Sequence, residues 1–530
     1  MARKKNFLQI EIRDSITEGV PEYSLISRKH RIHLKMLLDA IDQAAGDKRI
    51  SAILIIIRQP EIGWAQVEEL VSALSNFRSH NKPVSAYLES AGNKEYFLAS
   101  AADSIYMAPA GTLNLIGLRA EFLFFKDALQ WLGVEPDLSH IGKYKSAGDI
   151  FTRSAMSETQ QEQTQAILDD LQEQIVDRIS ASRRKTKEQV SAWLNHGPYT
   201  AGEAKELGLL DDLLFEDQAI SRMETLNLTK RELSRYRVGD GFWRRLLTYR
   251  RPQVALVVAE GMIASGKSRR GGGQRLVCGS ETIAQFLADA RKRKRVRGVV
   301  LRVNSPGGSA VASDVLWREV QLTSEKKPVV VSMGDVAASG GYYIATAAKK
   351  ILAQRATITG SIGVIGGKFV VRDLIEKLRI HVDSLSNAAN AAIYSPLQPF
   401  SAAERERVRK QMEEFYRGHF VPKVAQSRGQ SEERVLQLAQ GRVWSGNRAQ
   451  RHGLVDRIGG LRDAVEEIRA LCHFAPERRI RTVVYTRKLS LVEMMTPGIM
   501  SAGWIDEIRD IVRILQEQVL ALLPFEIRIR

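Results

Sequence analysis

The segment Gly334–Asp335–Val336–Ala337–Ala338–Ser339–Gly340–Gly341–Tyr342–Tyr343 places one serine at a turn of small residues between an apolar strand and a helix. Val329–Val330–Val331, following Lys327–Pro328, reads as a buried β-branched strand, and Tyr342 to Ala348 reads as an alanine-rich helix. A serine at such a junction is exposed at a strand end, beside backbone N–H groups at the start of a helix. In an α/β protein this arrangement sets a nucleophilic hydroxyl next to an oxyanion site. Taken alone, a serine in such a turn is more often only a turn residue. The hydroxyl also needs a base, and none of the nine histidines sits in a motif that nominates it.

Comparing the chain with itself supplies a candidate. Lys82–Pro83–Val84 recurs as Lys327–Pro328–Val329, Tyr96–Phe97–Leu98–Ala99 as Tyr342–Tyr343–Ile344–Ala345, and Gly208–Leu209–Leu210–Asp211 as Gly453–Leu454–Val455–Asp456. Tyr199–Thr200 likewise lines up with Trp444–Ser445. The offset is about 245 residues throughout, which is a whole-domain duplication and not a short solenoid period. Each half alternates strands (Ile53–Ile57, Val299–Val303) with helices (Val67–Leu74, Ala312–Leu322), so two α/β domains with mainly parallel sheets are expected. The halves differ where chemistry would sit. Ser339 aligns with Asn93 to within one residue, and Lys145, in Gly142–Lys143–Tyr144–Lys145–Ser146–Ala147, aligns with Ala391. The complementary losses point to one composite site, with Lys145 of the first half as base for Ser339 of the second.

With these residues in place the chain resembles the S49 Ser–Lys peptidases, the family of signal peptide peptidase A (protease IV), in its long duplicated form. The matching pieces are Arg302–Val303–Asn304–Ser305–Pro306–Gly307–Gly308–Ser309, the Ser339 segment, Thr359–Gly360–Ser361–Ile362–Gly363–Val364 and Tyr144–Lys145–Ser146–Ala147. The resemblance implies two tandem crotonase/ClpP-like domains and a serine endopeptidase that degrades cleaved signal peptides and other extended hydrophobic peptides. It implies Ser339 as nucleophile, Lys145 as general base, Ser361 as the residue orienting the lysine, and Gly307, Gly308 and Gly340 as oxyanion donors. One such donor is typically worth roughly 3 kcal/mol of barrier. Free lysine has a pKa near ~10.4, so the site must lower it by several units, and an apolar join between the domains is a place to do so. The resemblance further implies a homo-oligomer, a tetrameric bowl with the sites inside, and needs no cofactor.

The expected organisation is an N-terminal repeat over residues 1–240, a basic linker over 241–252, a C-terminal repeat over 253–480 and an amphipathic extension over 481–530. In that extension Trp504, Ile508, Ile511, Leu515, Val519 and Leu522 recur at helical spacing. The net charge of +17, from 78 basic and 61 acidic residues, together with the basic, partly apolar linker and tail, favours peripheral contact with anionic lipid. No nucleic-acid motif accompanies the charge. No window approaches ~18 consecutive apolar residues, and Asn6–Arg13 alternates like a strand and not like a signal peptide. The expected location is therefore at a membrane without an evident transmembrane helix, or cytoplasmic. Two cysteines, Cys278 and Cys472, exclude a disulfide framework, and no Cys/His spacing suggests a metal.

Three rival classes carry some support. Gly261–Met262–Ile263–Ala264–Ser265–Gly266–Lys267–Ser268 fits a P-loop, but the basic, glycine-rich Arg269–Gly273 follows where a phosphate-binding helix should open. An acyl-CoA enzyme of crotonase type would share the fold and the glycine loop without needing Ser339 and Lys145 together. A non-catalytic membrane scaffold would need neither.

Overall fold

The computed structural model describes residues 5–19, 32–233, 236, 251–270, 276–475, 478, 480–486 and 520–522. Two runs rich in β-branched residues, Ile53–Ile57 and Val299–Val303, the latter apolar except for Arg302, are fully buried at the centres of two separate sheets. Both faces of a parallel sheet are covered by crossover helices, so its central strands carry apolar residues without alternation. The first sheet runs in the order Asp212–Leu213, Ser104–Met107, Val84–Leu88, Ile50–Glu61, Lys5–Thr17, Leu228–Glu232, with parallel pairing throughout. The second runs Val443–Ser445, Ile358–Gly360, Val329–Ala338, Val296–Ser305, Gln253–Glu260, Arg481–Tyr485, parallel except for the Val443–Ser445 strand. The Arg481–Tyr485 strand carries the second sheet past residue 480, just as Leu228–Glu232 completes the first.

The repeated sequence fragments are repeated contacts. Lys82 Nζ donates to the carbonyls of Ala44, Ala45 and Asp47 at 2.8 Å, and Lys327 Nζ donates to those of Ala290 and Arg293 at 2.7 Å. Tyr96 Oη donates to Leu209 O at 2.7 Å, and Tyr342 Oη to Leu454 O at 2.8 Å. Asp211 and Asp456 accept from the backbone of Ile105 and Ile351, each at 2.7 Å. The chain is thus two tandem α/β domains related by duplication.

A third sheet joins the halves. Its strands run Arg269–Arg270, Leu276–Gly279, Met262–Ala264, Gly307–Ser309, Leu520–Leu522, Val364–Val370, Glu135–Ile141, the last from the first half. Glu135–Ile141 pairs antiparallel with Val364–Val370 along its whole length. One rival loses its ground here, and one expectation changes. The P-loop-like segment becomes the strand Met262–Ala264 and a turn into a β-hairpin, with no helix at its end. Leu522 belongs to a strand and not to a helix, because Gly307 of a neighbouring strand edge pairs with its backbone and outweighs the local periodicity. Residues 504–519 of that pattern, and linker residues 241–250, lie outside the described residues. Among the described residues no helix is long and apolar enough to cross a membrane.

The halves are also locked by buried charge. Arg302, on a central strand of the second sheet, bonds both carboxylate oxygens of Glu18 at 2.9 Å and lies 2.6 Å from Glu69 of the first-half helix Trp64–Arg78. Asp335 accepts from Ala65 N at 2.9 Å at the start of that helix. Gly63 admits it, because a Cβ there would lie 2.0 Å from Asp335 Cγ. Burial pushes Asp335 up to about 6 and raises Glu69, which Arg302 opposes. Arg302→Met should therefore lower stability by about 3–5 kcal/mol, since it leaves acids buried without their cation. A raised folded pKa contributes stability that is lost as pH rises. The deficit, read from denaturant unfolding, should accordingly be larger at pH 8 than at pH 5.

Candidate active site

The strand Val329–Ala338 ends at Ser339, and the helix Gly340–Ala345 starts on the next residue. Ser339 takes φ 54° and ψ −115°, a conformation that non-glycine residues hold only when their surroundings fix it. Here Ser339 N–H donates to Gly360 O at 2.8 Å, and the neighbouring strand carrying Thr359 holds the strand end through Thr359 Oγ1 to Ala337 O at 2.7 Å. The strain turns the side chain out of the strand and toward the first half of the chain.

Lys145 meets it there. Its Nζ lies 2.8 Å from Ser339 Oγ, 3.0 Å from Ser361 Oγ and 3.1 Å from Ser361 O. All three residues are fully buried, and among the described residues no carboxylate pairs with the amine. Burial alone holds the Lys145 pKa well below the ordinary lysine value. A neutral amine has two N–H bonds and one lone pair. With the two Ser361 oxygens accepting the N–H bonds, the lone pair is left for the Ser339 hydroxyl. Ser361 also sits at positive φ, 51°, with its N–H on Arg442 O at 2.7 Å.

The glycines divide. Gly307 N–H donates to Ser305 Oγ at 3.2 Å, which commits it within its own turn. Gly308 lies in the Gly307–Ser309 strand beside Ile263, and a Cβ there would come within 2.0 Å of Ile263 O. Gly340 opens the helix beside Ser339. The bond to Ser305 thus sets Gly307 apart from the other two candidate donors, Gly308 and Gly340. The first-half positions that match Gly307 and Gly308 carry Glu61 and Ile62, so that half lacks the loop as well as the serine. Asn93 there is structural: its amide bridges Gly117 O at 2.7 Å and Ile116 N at 3.3 Å.

Sequence reasoning missed the clamp that holds the lysine loop. Tyr144 N–H donates to Gln440 O at 2.7 Å. Buried Gln163 accepts from Val443 N–H at 3.1 Å and donates to Tyr144 O and Ser146 Oγ at 3.3 Å. Gly441, at φ 74°, passes so close that a Cβ would lie 2.5 Å from Lys145 Cβ. None of these residues falls in a repeated fragment. The positive-φ glycine in Gln440–Gly441–Arg442 was the one available signal. Among the described residues no group of three or more His, Cys, Asp or Glu could hold a metal ion.

With the geometry in hand, comparison with known proteins is informative. The model for peptidase family S49 matches residues 76–230 and 321–474, one segment in each half. The first segment contains Lys145 and the second contains Ser339 and Ser361. The chloroplastic serine protease SPPA of Arabidopsis thaliana is 34% identical over 508 residues, covering 94% of this chain and 72% of that one. Protease 4 of Haemophilus influenzae is 33% identical over 456 residues, covering 82% and 72%. ClpP1 from Listeria monocytogenes shows a weak likeness of fold, with 19% identity over 40% of this chain and a TM-score of 0.24.

Two outcomes follow for the amine and its clamp. Burial disfavours the protonated amine of Lys145 in the folded chain relative to the unfolded one, so below the ordinary lysine pKa Lys145→Met should be more stable than wild type. As pH rises toward ~10.4 that gap should close by up to about 1.4 kcal/mol per pH unit in denaturant unfolding. Gly441→Ala should displace the lysine backbone and lower kcat for peptide hydrolysis about 10²-fold. An unchanged kcat would mean that Gly441 does not position Lys145.

Proposed function

The chain belongs to peptidase family S49, and on that premise we propose that it is a serine endopeptidase in which Lys145 is the general base for Ser339, acting on signal-peptide remnants and other extended apolar peptides. The observation that carries this reading is the 2.8 Å contact between a buried lysine of one half and a strained serine of the other. Neutral Lys145 takes the hydroxyl proton as Ser339 Oγ attacks the peptide carbonyl. Negative charge on the carbonyl oxygen falls toward Gly308 and Gly340, whose N–H groups would donate to it as an oxyanion hole. The new ammonium then has the Ser361 oxygens as acceptors and returns its proton to the leaving amine. Water repeats the cycle on the acyl-enzyme. The names of the Arabidopsis and Haemophilus relatives support the class, and the signal-peptide substrate comes from the family.

The same reading includes assembly with further copies, for which the duplication supplies a geometry. Within the chain, Glu135–Ile141 of the first half pairs with Val364–Val370 of the second. The repeat register maps these strands onto residues 380–387 and 118–124. Those segments leave Leu123, Ile380, Val382 and Leu385 exposed. Pairing 380–387 of one copy with 118–124 of the next would repeat the internal joint head to tail and close a ring, the tetramer of the resembled family among its sizes. Such a joint would bring together Ala391 and Asn93 in place of lysine and serine, so each chain would hold one working site.

Hydrolysis of a synthetic signal-peptide-like substrate at pH 8 tests the proposal. Lys145→Ala and Ser339→Ala should each fall to the level of the double variant, because residues acting as a unit are not additive. Lys143→Ala, at an exposed position over the Tyr144 ring, should keep its activity. Activity retained by Lys145→Ala would contradict the assignment of the base.

A further inference from the structure

We infer that Arg442 is a positioning residue for the base, joining Lys145 to the serine that orients it, an inference that rests on the peptidase reading above. Its backbone faces one partner and its side chain the other. Arg442 O accepts the Ser361 N–H at 2.7 Å, and the preceding residue, Gly441, donates to Ile362 O at 2.7 Å. These bonds extend the antiparallel pairing of Val443–Ser445 with Ile358–Gly360 around the positive-φ turn at Ser361. The guanidinium crosses to the first half. Its Cζ lies 4.8 Å from the centre of the Tyr144 ring and 4.6 Å from that of Trp444. It donates to Tyr144 Oη at 3.2 Å and pairs with Glu162 at 2.9 Å, to which Tyr144 Oη also donates at 2.9 Å. One residue thus touches both the turn that carries Ser361 and the residue that precedes Lys145.

The duplication gives independent support. Tyr199–Thr200 matches Trp444–Ser445, so Arg442 matches Gly197, and Tyr144 matches Asn390 as Lys145 matches Ala391. Where the repeat lacks the lysine and the serine, it also lacks this arginine and this tyrosine. Gly197 has no room for a side chain, because a Cβ there would lie 2.2 Å from Leu115 O. Contacts that serve the fold behave differently. The lysine–carbonyl bonds of Lys82 and Lys327, and the tyrosine–leucine bonds of Tyr96 and Tyr342, are present in both halves. A pair present only at the joint with the dyad belongs with the dyad.

Arginine suits the place. A planar guanidinium can stack its face on aromatic rings while its edge bonds the Tyr144 hydroxyl and Glu162, and an ammonium cannot do both. Glu162 offsets its charge locally, so its action on Lys145 is to hold the loop. Lys143 is exposed, Tyr144 and Arg442 are half-buried, and Lys145 is fully buried. The stacked layer therefore stands between the amine and solvent along the loop. Lys143, over the Tyr144 ring at 5.4 Å, and His452, 4.4 Å from the Trp444 ring, also face this layer. Loosening it would shift the amine away from Ser339 and Ser361 and let water reach it. Hydration raises the pKa of a buried amine toward its ordinary value.

The test follows hydrolysis of a short apolar peptide by the full-length chain across pH. Arg442→Ala should lower kcat about tenfold with KM unchanged, and the acid limb of kcat should move to higher pH. Tyr144→Leu should do the same, and the double variant should be no worse than the poorer single one, because the two act through one contact. Arg442→Lys keeps the charge without the planar fork and should recover little of the loss. A residue that served stability alone would lower the amount of folded enzyme and leave its acid limb in place. An unchanged kcat and acid limb in both single variants, losses that multiply in the double variant, or full recovery by Arg442→Lys would overturn the inference. Should no form of the protein hydrolyse peptides, the peptidase reading fails by itself. The setting of Lys145 is then read from denaturant unfolding: the stability gained by Lys145→Met should shrink in an Arg442→Ala background, and an equal gain would overturn the inference.

Discussion

An amine shut away from water, with no carboxylate beside it, holds its proton less tightly than a free lysine does. Lys145 is in that position, and the rest of the site depends on it. The surrounding groups offer no negative charge: Ser361 Oγ and Ser361 O accept its N–H bonds, and the Ser339 hydroxyl faces its lone pair. A single aspartate at this place would oppose that shift and favour the ammonium. The architecture therefore has to bury a lysine fully, exclude acids from its neighbourhood and still deliver it to a serine. A joint between two domains satisfies all three demands, because neither domain must carry the buried lysine in its own core while it folds.

The duplication explains how such a joint arises from one fold. Each half repeats the same sheet, the same lysine–carbonyl contacts and the same tyrosine bond to a leucine carbonyl. Where the halves meet, one carries the loop with Lys145 and the other carries Ser339 and the glycine strand. At the unused ends, Asn93 has become a bridge between backbone groups and Ala391 is exposed. The acids missing around Lys145 are found elsewhere in the join, where Glu18, Glu69 and Asp335 surround Arg302 and the start of a helix. Charge that would spoil the amine is thus held at a separate contact, where it fixes the halves in register.

What the sequence disclosed follows from the range of the interactions. Ser339 was legible because a small-residue turn between a β-branched strand and a helix is a local pattern. The central strands were legible because parallel sheets bury unbroken apolar runs. Lys145 became legible only by comparing the halves, since nothing in Gly142–Ala147 distinguishes it from a solvated lysine. Ser361 and the glycine donors came through family resemblance. The clamp of Gln163, Gln440 and Gly441 was not legible, because its bonds join segments nearly three hundred residues apart through backbone groups that every residue has. Arg302 stood inside a quoted motif, yet its partners Glu18 and Glu69 have no fixed spacing from it. The helical spacing that reached Leu522 failed for the same reason, since strand edges brought in from elsewhere decide the conformation there.

The central claim is that a lysine made neutral by burial activates a serine from the other half of the same chain. The most direct measurement is the rate at which a serine-directed electrophile modifies Ser339, followed by intact mass as a function of pH. A depressed pKa leaves the base active above it and protonated below it. The rate should therefore rise through a single ionisation below the ordinary lysine range, and Lys145→Met should show almost no modification at any pH. Equal labelling of Ser339 in wild type and Lys145→Met would contradict the account.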